Sequence, residues 1–113
     1  MRLVIVESPF ANPDPLEHRA NVDFARACLR DCLLRGEAPL ASHLLYTQPG
    51  VLDDNIPDER ALGIDAGLVW GDLADASVVY TDRGISRGMR YGIERAEANG
   101  RPVEYRRLIS PLS

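Results

Sequence analysis

The sequence predicts an α/β fold: a doubly wound parallel sheet of about four strands with helices on both faces. Three observations lead there. Short apolar runs alternate with helical patterns along the whole chain. The helical patterns start and stop on recognisable signals, with Pro57 and Ser86 at starts and Gly36 and Gly100 at ends. No internal repeat, low-complexity stretch or linker interrupts the alternation, so residues 1–113 read as a single domain.

The first strand is expected over residues 2–7, Arg-Leu-Val-Ile-Val-Glu. A helix follows over 17–35, with Val22, Ala25, Leu29, Cys32 and Leu33 on one face and Gly36 as its cap. The second strand is expected over about 38–44, short and carrying Pro39. A loop from about Tyr46 to Ile56 leads to a helix starting near Pro57, with Asp58 and Glu59 where the helix dipole favours acids. Leu62, Ala66, Val69 and Leu73 give that helix an apolar stripe. Trp70 lies beside the stripe and reads as core or subunit interface. The third strand is expected over 77–81 and the third helix over about 86–99, with Ser86 as N-cap. The fourth strand spans about 102–107, and a tail from Leu108 to Ser113 closes the chain.

Composition narrows the function. Thirteen basic against 17 acidic residues leave a net charge of −4, which argues against a nucleic-acid-binding surface but leaves room for a small phosphate ligand. No signal peptide and no run approaching the roughly 20 apolar residues of a membrane span is read, so a cytoplasmic protein with no membrane partner is expected. Cys28 and Cys32 read as small core residues. A zinc site would need more ligands than His18 and His43 add, and an intrahelical disulfide is geometrically poor. Asp53, Asp54, Asp58 and Glu59 lack the spacing of a calcium loop and read as a solvated acidic loop plus a helix start. No metal and no cofactor is expected.

In an open parallel sheet, ligands bind beyond the carboxyl ends of the strands. The first strand delivers Glu7, Ser8, Pro9 and Phe10 there, and the second His43, with Tyr46 and Gln48 just after. The third delivers Asp82, Gly84 and Ser86, with Arg87, Gly88 and Met89 opening the next helix. A strand, a glycine-containing loop and a helix N-terminus suit an anionic or sugar-bearing ligand. Glu7 and Asp82 are the candidate catalytic carboxylates. Ser8, Pro9, Phe10, His43, Tyr46, Gln48, Gly84, Ser86, Arg87, Gly88 and Met89 are the candidate ligand contacts. Glu7 ends an apolar strand, where a carboxylate is costly to bury without a purpose. Ser8-Pro9 also suits a plain turn, Asp82 a loop cap, Ser86 an N-cap and His43 a satisfied core position.

From about Leu3 to Tyr105 the chain resembles the nucleoside 2-deoxyribosyltransferase-like superfamily, and within it small uncharacterised domains of bacteria and phages. The resemblance rests on Val4-Ile-Val-Glu-Ser-Pro-Phe10, on Ala41-Ser-His-Leu-Leu-Tyr-Thr-Gln48, and on Asp82-Arg-Gly-Ile-Ser-Arg-Gly-Met89 followed by Gly100-Arg-Pro-Val103. It implies a Rossmann- or flavodoxin-like sheet, a nucleoside or nucleotide as partner, and a homo-oligomer whose sites are completed by a neighbouring subunit. It also implies cleavage of the N-glycosidic bond by a Glu nucleophile on the third helix, with an Asp nearby assisting proton transfer to the base. Asp82 matches the strand-end Asp and Ser8 the sugar-contacting loop.

The nucleophile's position is where this chain departs from the pattern. Counted from the loop glycine and from Gly100, the position falls on Gly92; anchored on Gly88-Met89 it falls on Arg90. Glu94 lies about 200° around the helix from Gly92. The leading expectation is therefore a module that binds a nucleoside, nucleotide or nucleotide-derived molecule without the usual glycosyl transfer. The alternative is an N-glycosidic-bond hydrolase or deoxyribosyltransferase using another carboxylate such as Glu7. A scaffold role, with association through the apolar tail Leu108, Ile109 and Leu112, ranks third.

Overall fold

The computed structural model describes residues 1–108. Its elements run in the order β1 (Leu3–Glu7), α1 (Pro15–Leu34), β2 (Ala38–Leu40), α2 (Ser42–Leu45), α3 (Pro57–Leu73), β3 (Ala76–Tyr80), α4 (Arg87–Ala98) and β4 (Val103–Arg106). The four strands form one sheet of order β2-β1-β3-β4. Every pairing is parallel, with Ile5 opposite Leu40 and Ser77, and Val79 opposite Tyr105. The expected α/β class is thus the observed one.

Side-chain alternation along β1 and β3 divides the core. Val4, Val6, Ala76, Val78 and Tyr80 pack with Cys28 and Cys32 of α1 on one face. Val79 packs with Met89 and Ile93 of α4 on the other, with Val103 against them. The helix ends follow local chemistry. Asp14 accepts from the Leu16 N–H at 2.9 Å ahead of Pro15, and Ser86 Oγ accepts from the Met89 N–H at 3.2 Å.

Three expectations are corrected. The second strand ends at Leu40, and Ser42–Leu45 turn into a helical segment because Leu44 packs into the α1 core while Ser42 nests against Gly67 of α3. On α1 the buried positions are Asn21, Ala25, Cys28 and Cys32, whereas Leu33 is 54% exposed. On α3 the apolar stripe faces away from the sheet: Leu62, Val69 and Leu73 are 59%, 64% and 69% exposed. The inner face of α3 carries Gly63, Gly67 and Gly71 instead. A Cβ at Gly67 would sit 2.8 Å from the Ser42 Cβ, and one at Gly63 3.2 Å from a Leu52 methyl. Close approach, not apolar area, decides which side of this helix is covered. Ile109 and Leu112 of the proposed apolar tail lie outside the described residues; Leu108 packs against the α1 core.

A charged cluster ties strand ends together on the α1 face. Arg106 donates to both oxygens of Glu37 at 2.7 and 2.8 Å, and Arg2 donates to the same carboxylate at 2.9 Å. Hydrogen bonds from Arg106, then Arg2, hold the Glu37 pKa down at about 2, against the opposing effect of burial. The Tyr80 hydroxyl donates to Asp31 at 2.6 Å, linking β3 to α1. Cys28 and Cys32 are buried, free thiols, and burial pushes both upward in pKa, which makes them unreactive packing residues.

Candidate functional site

Sheet order reverses direction between β1 and β3, which opens a crevice at their carboxyl ends. A cavity of about 630 Å³ lies there. Ile5, Glu7 and Ser8 supply its floor from β1 and the turn after it. His43 and Tyr46 line it from α2 and its C-cap, Gly63, Gly67 and Gly71 from α3, and Arg87, Gly88, Met89, Tyr91 and Gly92 from α4. Phe10, Ser86 and Arg101 complete the wall.

Glu7 is the central group. Its neighbours on β1 leave its side chain on the α3–α4 face, where burial raises the carboxyl pKa to about 8 and the positive charge of Arg101 partly opposes the rise. None of the hydrogen bonds or ion pairs among the described residues involves its carboxylate. The carboxyl fits only because α4 has no side chain at position 92: a Cβ there would come within 2.6 Å of the Glu7 carboxyl carbon. Ser8 is buried, and its Oγ lies 3.0 Å from Nε2 of His43. Burial drives the His43 pKa down to about 4, so the imidazole is neutral at ordinary pH. The ring of Phe10 stands edge-on to His43, with centroids 5.5 Å apart. The Tyr46 hydroxyl accepts from Trp70 Nε1 at 2.8 Å.

The structure brings Glu7, Ser8, Phe10, His43, Tyr46, Ser86, Arg87, Gly88 and Met89 to this one cavity. The remaining candidates lie elsewhere. Gln48 lines a shallower trough of about 740 Å³ between the segments after β1 and after α2, which shares Phe10, Thr47 and Asp54 with the cavity. Pro9 is buried. Gly84 takes a positive φ of 85° in the turn after β3. Both oxygens of Asp82 accept from the Leu108 N–H, at 3.2 and 3.1 Å, so this carboxylate caps the chain after β4 and does not line the cavity.

Arg101 and Tyr91 were not foreseen. Arg101 lies just before the amino end of β4, not at the carboxyl end of any strand, and its long side chain reaches the site. A tyrosine at an exposed helix position carries no signal of its own. Among the described residues no group of three His, Cys, Asp or Glu side chains is arranged to hold a metal ion. No described helix is long and apolar enough to cross a membrane.

Among solved structures, the chain is similar to the 2-deoxyribosyltransferase of the psychrotolerant bacterium Bacillus psychrosaccharolyticus, a biocatalyst suitable for the industrial synthesis of antiviral and antitumoral nucleosides. The two share 22% identity over 91% of this chain and 70% of the other, with a TM-score of 0.62. This likeness shows a common fold. No curated protein matches the chain. From residue 2 to residue 106 the sequence matches one family model, and the chain belongs to that family, Domain of unknown function (DUF7768).

Proposed function

We propose that the cavity at the ends of β1 and β3 binds a nucleoside, a nucleotide or a nucleotide-derived small molecule. The observation that carries this reading is the set of groups converging on one cavity. Aromatic and apolar walls (Phe10, Tyr46, Tyr91, Met89) can hold a base, and the first turn of α4 offers a site for an anionic or sugar oxygen. Polar groups at the floor, Glu7 and Ser8, can orient the sugar. Fold similarity to a 2-deoxyribosyltransferase supports the same ligand class by analogy. Thermal shift and chromatography of free base, run together over a panel of nucleosides, nucleotides and NAD, test it. A raised melting temperature with one ligand class is expected, and lost in Ser8→Ala; no shift at millimolar ligand would reject the reading.

One observation favours a second reading, cleavage of the N-glycosidic bond. Glu7 is a partly buried carboxyl with no hydrogen-bond or ion-pair partner among the described residues, positioned inside the cavity rather than on α4. Its carboxylate would take a proton from water as the water oxygen bonds to the anomeric carbon, while the base leaves with the glycosidic electron pair and then takes that proton from the Glu7 carboxyl. Free base released by the wild type and abolished in Glu7→Gln, with binding retained, is the expected result. Full activity in Glu7→Gln would eliminate this role.

The outward stripe Leu62, Ala66, Val69 and Leu73, spaced 4-3-4, supports a homo-oligomer built across α3. Sedimentation velocity of Val69→Glu against the wild type tests it, with a smaller species expected for the variant. A cytoplasmic setting, where free thiols stay reduced, accompanies this reading.

A further inference from the structure

Glycine on each of two helices makes room for a charged side chain. Gly92 of α4 admits the Glu7 carboxyl, and Gly71 of α3 admits Arg101, whose Nη2 lies 3.2 Å from where a Cβ at 71 would stand. Arg101 follows Gly100, whose φ of 69° turns the chain after α4, and precedes β4. From there its guanidinium reaches under the cavity. Nη1 donates to the Gly71 carbonyl at 2.5 Å, and Nε donates to the Ser77 hydroxyl at 3.0 Å. Ser77 is fully buried on β3, so one anchor is rigid core and the other is the last turn of α3. Both anchors are neutral. Among the described residues Arg101 makes no ion pair, unlike Arg106 with Glu37 or Arg60 with Asp54. Its charge is therefore held in place and not cancelled by a carboxylate in contact.

We propose that Arg101 is the positioning residue of this cavity: clamped between Gly71 and Ser77, its guanidinium supplies the fixed positive field in which the Glu7 carboxyl works. The other charged or titratable groups around the cavity are His43 and Tyr46 beside α2, Asp54 before α3, Glu59, Arg60 and Asp65 on α3, and Arg87 and Tyr91 on α4. His43 is neutral, Arg60 is spent on Asp54, and Arg87 is exposed, where solvent screens its charge, whereas Arg101 is anchored on buried Ser77 beneath the cavity. Burial and Arg101 then act on Glu7 in opposite senses. Burial favours the neutral acid, and the guanidinium restores part of the ionised form, keeping the carboxyl within reach of both states near neutral pH. What Glu7 does to a ligand rests on the second reading above, whereas the field is a property of the free protein.

The test needs no ligand. In the full chain labelled with ¹³C at glutamate side-chain carboxyls, the Glu7 resonance, identified by its loss in Glu7→Gln, is followed through a pH titration. A midpoint of about 8 is expected in the wild type. Arg101→Met is expected to raise it by roughly one pH unit, and Arg101→Lys, which keeps the charge, to bring it back toward the wild type. Equal midpoints in the wild type and Arg101→Met overturn the proposal, and so does an equal rise in the Met and Lys variants, which would report packing alone. Should Arg101→Met not fold, Ser77→Ala releases one anchor; a partial rise there supports the proposal and an unchanged midpoint rejects it. Failure to bind nucleotides would leave this result standing, and a null titration would leave nucleotide binding standing.

Discussion

The carboxyl of Glu7 occupies the space that a side chain at Gly92 would need, although the two residues come from the first strand and the last helix of the fold. Gly92 is also an ordinary helix-interior position, where alanine would normally stabilise by about 1 kcal/mol. The contact reverses that sign. Gly92→Ala is expected to destabilise the wild type by about 1–3 kcal/mol through overpacking. In a Glu7→Ala background the same substitution should stabilise by about 1 kcal/mol. Urea midpoints of the four proteins measure the cycle, and additive effects would show that the contact is not formed.

Glu7 also predicts how stability changes with pH. In the folded chain its carboxyl keeps a proton up to about pH 8, whereas in the unfolded chain it titrates near 4.5. Between these values the folded state binds more protons, so stability falls as pH rises and the loss is complete above about 8. His43 acts in the opposite sense, losing stability as pH falls from 6.5 toward about 4. The window above 6.5 is therefore free of the His43 effect. Denaturation at about pH 6.5 and pH 9 should show a loss of about 2 kcal/mol in the wild type that is absent in Glu7→Gln.

On the opposite face of the sheet, the Arg106–Glu37 pair gives a prediction for acid conditions. Both side chains are about nine-tenths buried. Removing Arg106 takes two hydrogen bonds from a carboxylate that Arg2 still reaches, so Arg106→Met should cost about 1–3 kcal/mol at neutral pH. The Glu37 pKa of about 2 means that the stability from this pair is present above 4.5 and lost as pH falls toward 2. Acid denaturation of the wild type should steepen in that interval, and Arg106→Met, in which Arg2 alone holds Glu37, should weaken the step. A shallow, unchanged acid limb in the variant would contradict it.

Trp70 offers a reporter of the cavity. It is the sole tryptophan of the chain, it is 44% exposed, and its indole N–H donates to the Tyr46 hydroxyl that lines the site. A ligand that displaces or desolvates Tyr46 should change Trp70 emission, and Tyr46→Phe should blunt the change. Emission that stays constant while a ligand raises the melting temperature would place that ligand elsewhere.

The sequence by itself determined the alternation of strands and helices, the parallel sheet, the helix start at Pro57 and the capped start at Ser86, and the placing of Glu7, Ser8 and Met89 at one edge. These follow from local rules: periodicity, capping chemistry and the direction in which a parallel strand ends. Other features depended on the tertiary structure. The outward turn of Leu62, Val69 and Leu73 was hidden because an apolar period marks a face without saying which neighbour covers it, and the glycine face of α3 approached α2 more closely. Asp82 reads as a strand-end acid, yet the Leu108 N–H draws it away from the cavity. The fit of Glu7 over Gly92 and of Arg101 against Gly71 joins residues far apart in the chain. Such contacts depend on helix–sheet spacing to within a few tenths of an ångström, which only the packed fold decides.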